Sequence, residues 1–170
     1  AFRPGAGEVL RGLRGTHTYL VTNSHTDAVQ NKIRVLGGDA SDLDWLVARV
    51  HGRARKYVLD ESWSAVSASM QLPGLERPVL LRRRLYHDAL EALRQRAGVA
   101  WRDVVVVGDI FELDLALPLA MGAQVGLLCN AFTPAWEKDF LAQHARGALL
   151  QDVSEIPAFA GLSPDAAAGG

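Results

Sequence analysis

The chain has 170 residues, a length that favours one domain. Its 18 Lys and Arg nearly balance its 19 Asp and Glu, for a net charge of −1, which speaks against a broad electrostatic footprint for nucleic acid or anionic lipid. A hydrophobic fraction of 49% and a charged fraction of 22% exclude wholesale disorder, and the one cysteine, Cys129, excludes an internal disulfide or a cysteine-only zinc site.

Ala1 to Gly15 mixes Arg, Gly and Glu and has no apolar core of a signal peptide. No apolar run reaches the ~18 residues that a membrane helix needs. A cytoplasmic setting without membrane or nucleic-acid partners is the expectation. Pro4-Gly5 opens a short amphipathic stretch with Val9, Leu10 and Leu13 on one face, ended by Gly15. Thr18 to Thr22 is β-branched and aromatic and predicts a strand. Asn23 and Ser24 are helix-capping types. Thr26 to Leu36 has helical spacing and stops at Gly37-Gly38. Leu43 to Val50 predicts a second helix and Lys56 to Asp60 a second strand, while residues 61–77 are ambiguous around a Pro73-Gly74 turn.

Leu85 to Arg96 predicts a helix with Tyr86, Ala89, Leu90 and Leu93 as its apolar stripe. Val104 to Val107 is a continuous apolar run that suits a strand buried on both faces of a parallel sheet. A helix over 112–121, a strand from Gln124 to Leu128 and a helix over 134–143 follow. Ser163 to Gly170 has the composition of a frayed tail. The alternation predicts an α/β fold with a parallel sheet.

Ligands of such folds bind beyond the carboxyl ends of the strands. The polar residues there are Thr22, Asn23 and Ser24 after the first strand, Asp60, Glu61 and Ser62 after the second, and Asp109 and Asp114 after the valine run. Gly108 permits a sharp turn off that strand, and two neighbouring carboxylates, Asp109 and Asp114, suit a hard cation such as Mg2+. Two plainer readings stand beside this one. Asp109 caps the following helix with Asp114 as a first-turn acid, and Thr22 to Ser24 only cap the helix after them. Arg82-Arg83-Arg84 offers a cation for a phosphate or a carboxylate, or is a solvated basic run. His25 adjoins the candidate crevice and is a possible substrate contact. Cys129 ends an apolar strand and reads as a buried thiol.

In order and spacing these segments resemble the haloacid dehalogenase-like (HAD) superfamily. The carriers are Pro4-Gly5 before the strand ending in YLVTNS, a basic residue at a helix start at Arg84, and VVVVGDIFELD followed by LALPLAMGAQVGLL. The resemblance implies a three-layer Rossmann-like core with a parallel sheet over residues 1–160, followed by a flexible tail over 161–170. It implies phosphomonoester hydrolysis through an aspartyl-phosphate, with Mg2+ offsetting the charge. Carried over by position, Thr22 hydrogen-bonds the phosphoryl group and Asn23 sits beside it. Arg84 stabilises charge, Asp109 ligates Mg2+ and Asp114 supports the metal site. Arg84-Leu85 replaces the family's Lys-Pro, so Arg83 or Lys56 is an alternative for the Arg84 role. VTNS, Lys32-Ile33 and Ile110-Phe111 are similar to the cytosolic purine 5′-nucleotidase branch, which implies a nucleotide or another small phosphorylated metabolite as partner.

The family's first motif, a strand ending in Asp-x-Asp, is absent before Pro4. Asp42-Leu43-Asp44 follows Gly-Gly-Asp-Ala-Ser rather than a strand, and Asp60 stands in the wrong place in the order. The expectation is therefore that the nucleophile and its strand lie upstream of Ala1. The alternative is a catalytically inactive HAD-like binding domain.

Overall fold

The computed structural model describes residues 2–162. The chain divides into two compact units, residues up to Arg55 together with those from Val153 onward, and Lys56–Asp152. Among the described residues no helix is long and apolar enough to cross a membrane.

The first unit begins with α1 (Ala6–Gly12), entered through Gly5 at φ 78. β1 (Leu20–Val21) leads to α2 (Thr26–Gly37), α3 (Asp44–Val47) and β2 (Val50–His51), which pairs with β1 in parallel, Leu20 opposite Val50. The predicted helix over Leu43 to Val50 is thus one turn. Leu43 and Leu46 are fully buried as its stripe requires, but Val50 instead joins a sheet ladder. The core is Ile33, Leu43 and Leu46, against which Leu10, Leu20 and Val29 pack.

The second unit opens without the strand expected at Lys56 to Asp60, because its backbone finds partners elsewhere. The Lys56 carbonyl accepts from Arg83 Nη1 at 2.8 Å and the Asp60 N–H donates to the Arg82 carbonyl at 2.8 Å. The ambiguous region resolves into an antiparallel pair, β3 (Ser69–Met70) with β4 (Val79–Leu80). α4 (Arg84–Ala97) ends at Gly98, φ 70, a left-handed stop that suits glycine. β5 (Val105–Gly108) is followed by a π-helical turn, Phe111–Leu115, and then by α5 (Ala116–Met121), where the spacing predicts one helix. β6 (Gln124–Leu128), α6 (Ala135–Gln143) and β7 (Gly147–Leu150) complete the unit, and α7 (Ile156–Phe159) returns to the first unit.

The three strands β5, β6 and β7 form a parallel sheet in that order, so this part of the chain is mixed α/β with parallel pairing. β6 is central, and its Val125 to Leu128 are buried. β5 is half-buried along its whole length, not buried on both faces as its valines suggest. It pairs with β6 alone and so sits at the border of its sheet. Phe111, Leu115, Val125, Leu127 and Leu141 are fully buried and centre the core. The Ser163 to Gly170 tail lies outside the described residues.

Candidate functional site

The turn after β5 holds the densest set of polar contacts in the second unit. A Cβ on Gly108 would stand 2.5 Å from Asp114 Cβ, so only glycine admits the Asp114 side chain against the strand end. Asp114 Oδ2 accepts the Ile110 N–H at 3.1 Å, and its Oδ1 accepts from Lys56 Nζ at 2.8 Å. Both side chains are nearly buried, with 12% and 13% exposure. Tyr86 donates its hydroxyl to the Asp114 carbonyl at 2.7 Å, and Lys56 Nζ stands 5.2 Å from the centre of the Tyr86 ring. Burial, and then the charge of Asp114, push the Tyr86 phenol well above its ordinary range, so it remains a donor at any working pH.

Arg83 holds this arrangement from behind. It is 4% exposed, and it spans from the Lys56 carbonyl to Glu112 Oε1 at 3.4 Å. Glu112 Oε2 takes Arg77 Nη2 at 2.7 Å. Burial lowers the Arg83 guanidinium from its ordinary value, while Glu112 opposes that shift. Every guanidinium retains its proton under such conditions, so Arg83 is a fixed cation. Asp109 itself follows Gly108 on the exposed side of the turn.

Glu137, in the first turn of α6, is 4% exposed, and its Oε2 is buried without a hydrogen-bond partner. Burial pushes its carboxyl above the ordinary range. The Phe111 N–H pulls it down, and the charges of Asp114, Asp109 and Glu112 push it up again. The sign of the linkage follows. A carboxyl raised in the folded state favours folding most below its unfolded value of ~4.3, and that advantage is lost as pH rises through the folded value. Glu137→Gln keeps an acceptor for Phe111 and carries no charge. It is expected to be more stable than wild type at pH 8 by on the order of 1 kcal/mol, and to level the fall in stability that wild type shows as the pH rises from about 4 to 8. Urea melts at both pH values check this, and an equal loss in both proteins would refute it.

Of the residues expected from the sequence, Asp109 and Asp114 share this turn. Arg84 does not join it. It is half exposed, 3.5 Å from Asp60 Oδ2 and 3.8 Å from Asp88 Oδ2. Of the three basic candidates for pairing with the Asp109–Asp114 turn, Lys56 is the one ion-paired to Asp114. Asp60 is bonded to Ser62 Oγ at 2.5 Å, and that bond, with help from Arg84, lowers its carboxyl below the ordinary range. Cys129 is buried, as expected.

Thr22, Asn23 and His25 form a separate cluster in the first unit, at the carboxyl end of β1. The Thr22 N–H donates to the His51 carbonyl at 3.0 Å, and Thr22 Oγ1 accepts the Ser24 N–H at 3.1 Å. His25 occupies the capping position of α2 with extended backbone and makes no side-chain cap. Gly52 is required here, since a Cβ on it would meet Thr26 N at 2.4 Å. Arg53, which composition and spacing did not single out, donates to His25 Nδ1.

The donors present are of the type a Mg2+ ion takes. Asp109 is a hard oxygen ligand on an exposed turn, and Mg2+ is commonly held by one or two carboxylates with water and phosphate supplying the rest. Both oxygens of Asp114 are already engaged, which suits a supporting role. Among the described residues no group of three His, Cys, Asp or Glu side chains is placed to hold a metal by itself. No family model matches the chain, and no curated protein matches it.

Proposed function

We propose that the chain carries the phosphate-handling part of a HAD-type phosphomonoester hydrolase, with a Rossmann-like core and a nucleotide or other small phosphorylated metabolite as substrate. The observation that carries this reading is the buried Lys56–Asp114 pair at the end of β5, immediately behind Gly108-Asp109. A parallel strand end followed by an exposed aspartate and a fixed cation-carboxylate pair has residue types suited to a metal-phosphate ester. In this reading Asp109 is the Mg2+ ligand and the metal offsets phosphate charge. Asp114 fixes Lys56, and Lys56 rather than Arg84 supplies the cation of the site.

The full-length protein, assayed with Mg2+ on nucleotides and sugar phosphates, tests the reading. Asp109→Asn is expected to lower turnover by about 100-fold or more. Equal turnover by wild type and variant would overturn it.

A second reading, a catalytically inactive binding domain of the same fold, has one observation in its favour. The only Asp-x-Asp of the sequence has its first carboxylate tied to Arg11, with Asp42 Oδ2 2.6 Å from Arg11 Nε, and its middle residue Leu43 fully buried. Absence of turnover with every phosphomonoester on the panel favours this second reading.

A further inference from the structure

In the first unit the loop from Thr22 to His25 and the loop from Gly52 to Arg55 meet beyond the carboxyl ends of β1 and β2. Backbone bonds clasp them. Ala54 N–H donates to the Thr22 carbonyl at 2.9 Å and Arg53 N–H to the Ser24 carbonyl at 2.8 Å. Arg53 and Arg55 both take left-handed backbone, φ 52 and φ 48, which costs a non-glycine residue ~1 kcal/mol or more. The clasp directs the Arg53 guanidinium onto His25, with Nε and Nη2 at 3.1 and 2.7 Å from Nδ1.

A guanidinium donates and cannot accept. Nδ1 of His25 is therefore the acceptor, and the ring hydrogen sits on Nε2. The remaining polar groups of the pair are all donors, namely His25 Nε2–H and the other Arg53 N–H groups, on two exposed residues. Thr22 Oγ1 accepts the Ser24 N–H and has its own hydrogen to donate. An exposed Arg–His bond contributes ~0–1 kcal/mol to stability, too little to offset two strained backbone conformations. A set of neighbouring donors with one fixed positive charge suits an oxyanion.

We propose that His25 and Arg53 form an oxyanion-binding pair beside Thr22, which takes a phosphate or carboxylate group of the ligand. For the class of ligand this rests on the phosphate-ester reading above; its own geometry requires only an oxyanion. With Nε and Nη2 turned to His25 Nδ1, the Nη1–H and second Nη2–H edge of Arg53 can take two oxygens of a tetrahedral or planar oxyanion, which a halide does not offer.

Calorimetric titration of the protein with inorganic phosphate, and separately with acetate, is the test. Saturable binding of phosphate is expected, weakened roughly tenfold in Arg53→Asn and in His25→Ala. Asparagine tolerates the left-handed backbone of position 53, so Arg53→Asn removes the guanidinium without dismantling the clasp; an unchanged melting temperature confirms that. Acetate binding with the same dependence assigns the pair to a carboxylate as well, and phosphate binding alone assigns it to a phosphoryl group. Absence of saturable binding in wild type, or equal binding by wild type and both variants, overturns the proposal. Arg102→Gln, which removes an exposed cation of the other unit, serves as the control. Phosphate affinity that falls as much with Arg102→Gln as with Arg53→Asn also overturns the proposal. Arg53-dependent binding in a protein that hydrolyses no phosphomonoester leaves the pair standing and removes the hydrolase reading.

Discussion

Lys56→Met is expected to destabilise the second unit by ~3–5 kcal/mol. The two partners are almost removed from water, 12% and 13% exposed, with Nζ 2.8 Å from Asp114 Oδ1. Methionine replaces the stem of the lysine but not its charge. Asp114 would then keep one donor, the Ile110 N–H, while Asp109 and Glu112 remain close in the chain and carry the same sign. Asp114→Asn removes the other half of the pair and leaves the Lys56 ammonium buried over the Tyr86 ring. The double variant Lys56→Met with Asp114→Asn should lose less than the sum of the two, with a coupling of ~1–3 kcal/mol. Hydrogen exchange at the β5 and β6 amides reads the second unit by itself, which a global melt of two units does not. A loss below ~1 kcal/mol at those amides would mean that the pair is solvated and that Lys56 is a surface residue. Under the phosphate-ester reading proposed above, the same substitution should also lower phosphomonoester turnover by about 100-fold, because that reading makes Lys56 the fixed cation of the site.

This pair also shows where local sequence signals end. The Gly108-Asp109 turn is legible because a run of valines must leave the sheet and glycine then removes the steric bar. α2 and α4 are legible because their apolar spacing persists for three turns or more and glycine follows. Lys56 was one of three basic candidates, and nothing local separates it from Arg83 or Arg84. KYVLD reads as a strand, yet its Lys56 carbonyl is taken by Arg83 and its Asp60 N–H by the Arg82 carbonyl. That exchange depends on residues more than twenty positions away. Tyr86 falls on an apolar stripe and packs as one, while its hydroxyl serves Asp114. β7 was not foreseen, because Gly147-Ala148-Leu149-Leu150 carries no β-branched residue and takes its strand form from the register Val125 to Gly147. Glu137 sits on a helix that reads as ordinary in sequence, and only the burial of its Oε2 marks it. Arg53 is invisible for a further reason, since its placement follows from a left-handed backbone that sequence rarely announces outside Gly and Asn.

Gly108→Ala is expected to cost ~3 kcal/mol, although alanine is no poorer than glycine as a strand residue. The conflict is local. The new Cβ would lie 2.5 Å from Asp114 Cβ and 2.7 Å from its Oδ2, and neither side has room to yield. Gly108 is held in register opposite Leu127 of β6. Asp114 is held four times over, by its own N–H to the Ile110 carbonyl at 2.9 Å, by Ile110 N–H, by Lys56 and by Tyr86. Relief requires the π-helical turn to shift, and the shift would pull the carboxylate from Lys56. The substitution should therefore reproduce the exchange pattern of Asp114→Asn at β5 and β6 and leave the α2 amides of the first unit unchanged. A second variant separates steric conflict from any effect of alanine on the strand. In an Asp114→Gly background the opposing Cβ is gone, and Gly108→Ala should then be neutral or stabilising by up to ~1 kcal/mol, the sign that the propensity difference between glycine and alanine gives. An undiminished cost in that background would place the strain in β5 itself and detach Gly108 from the positioning of Asp114.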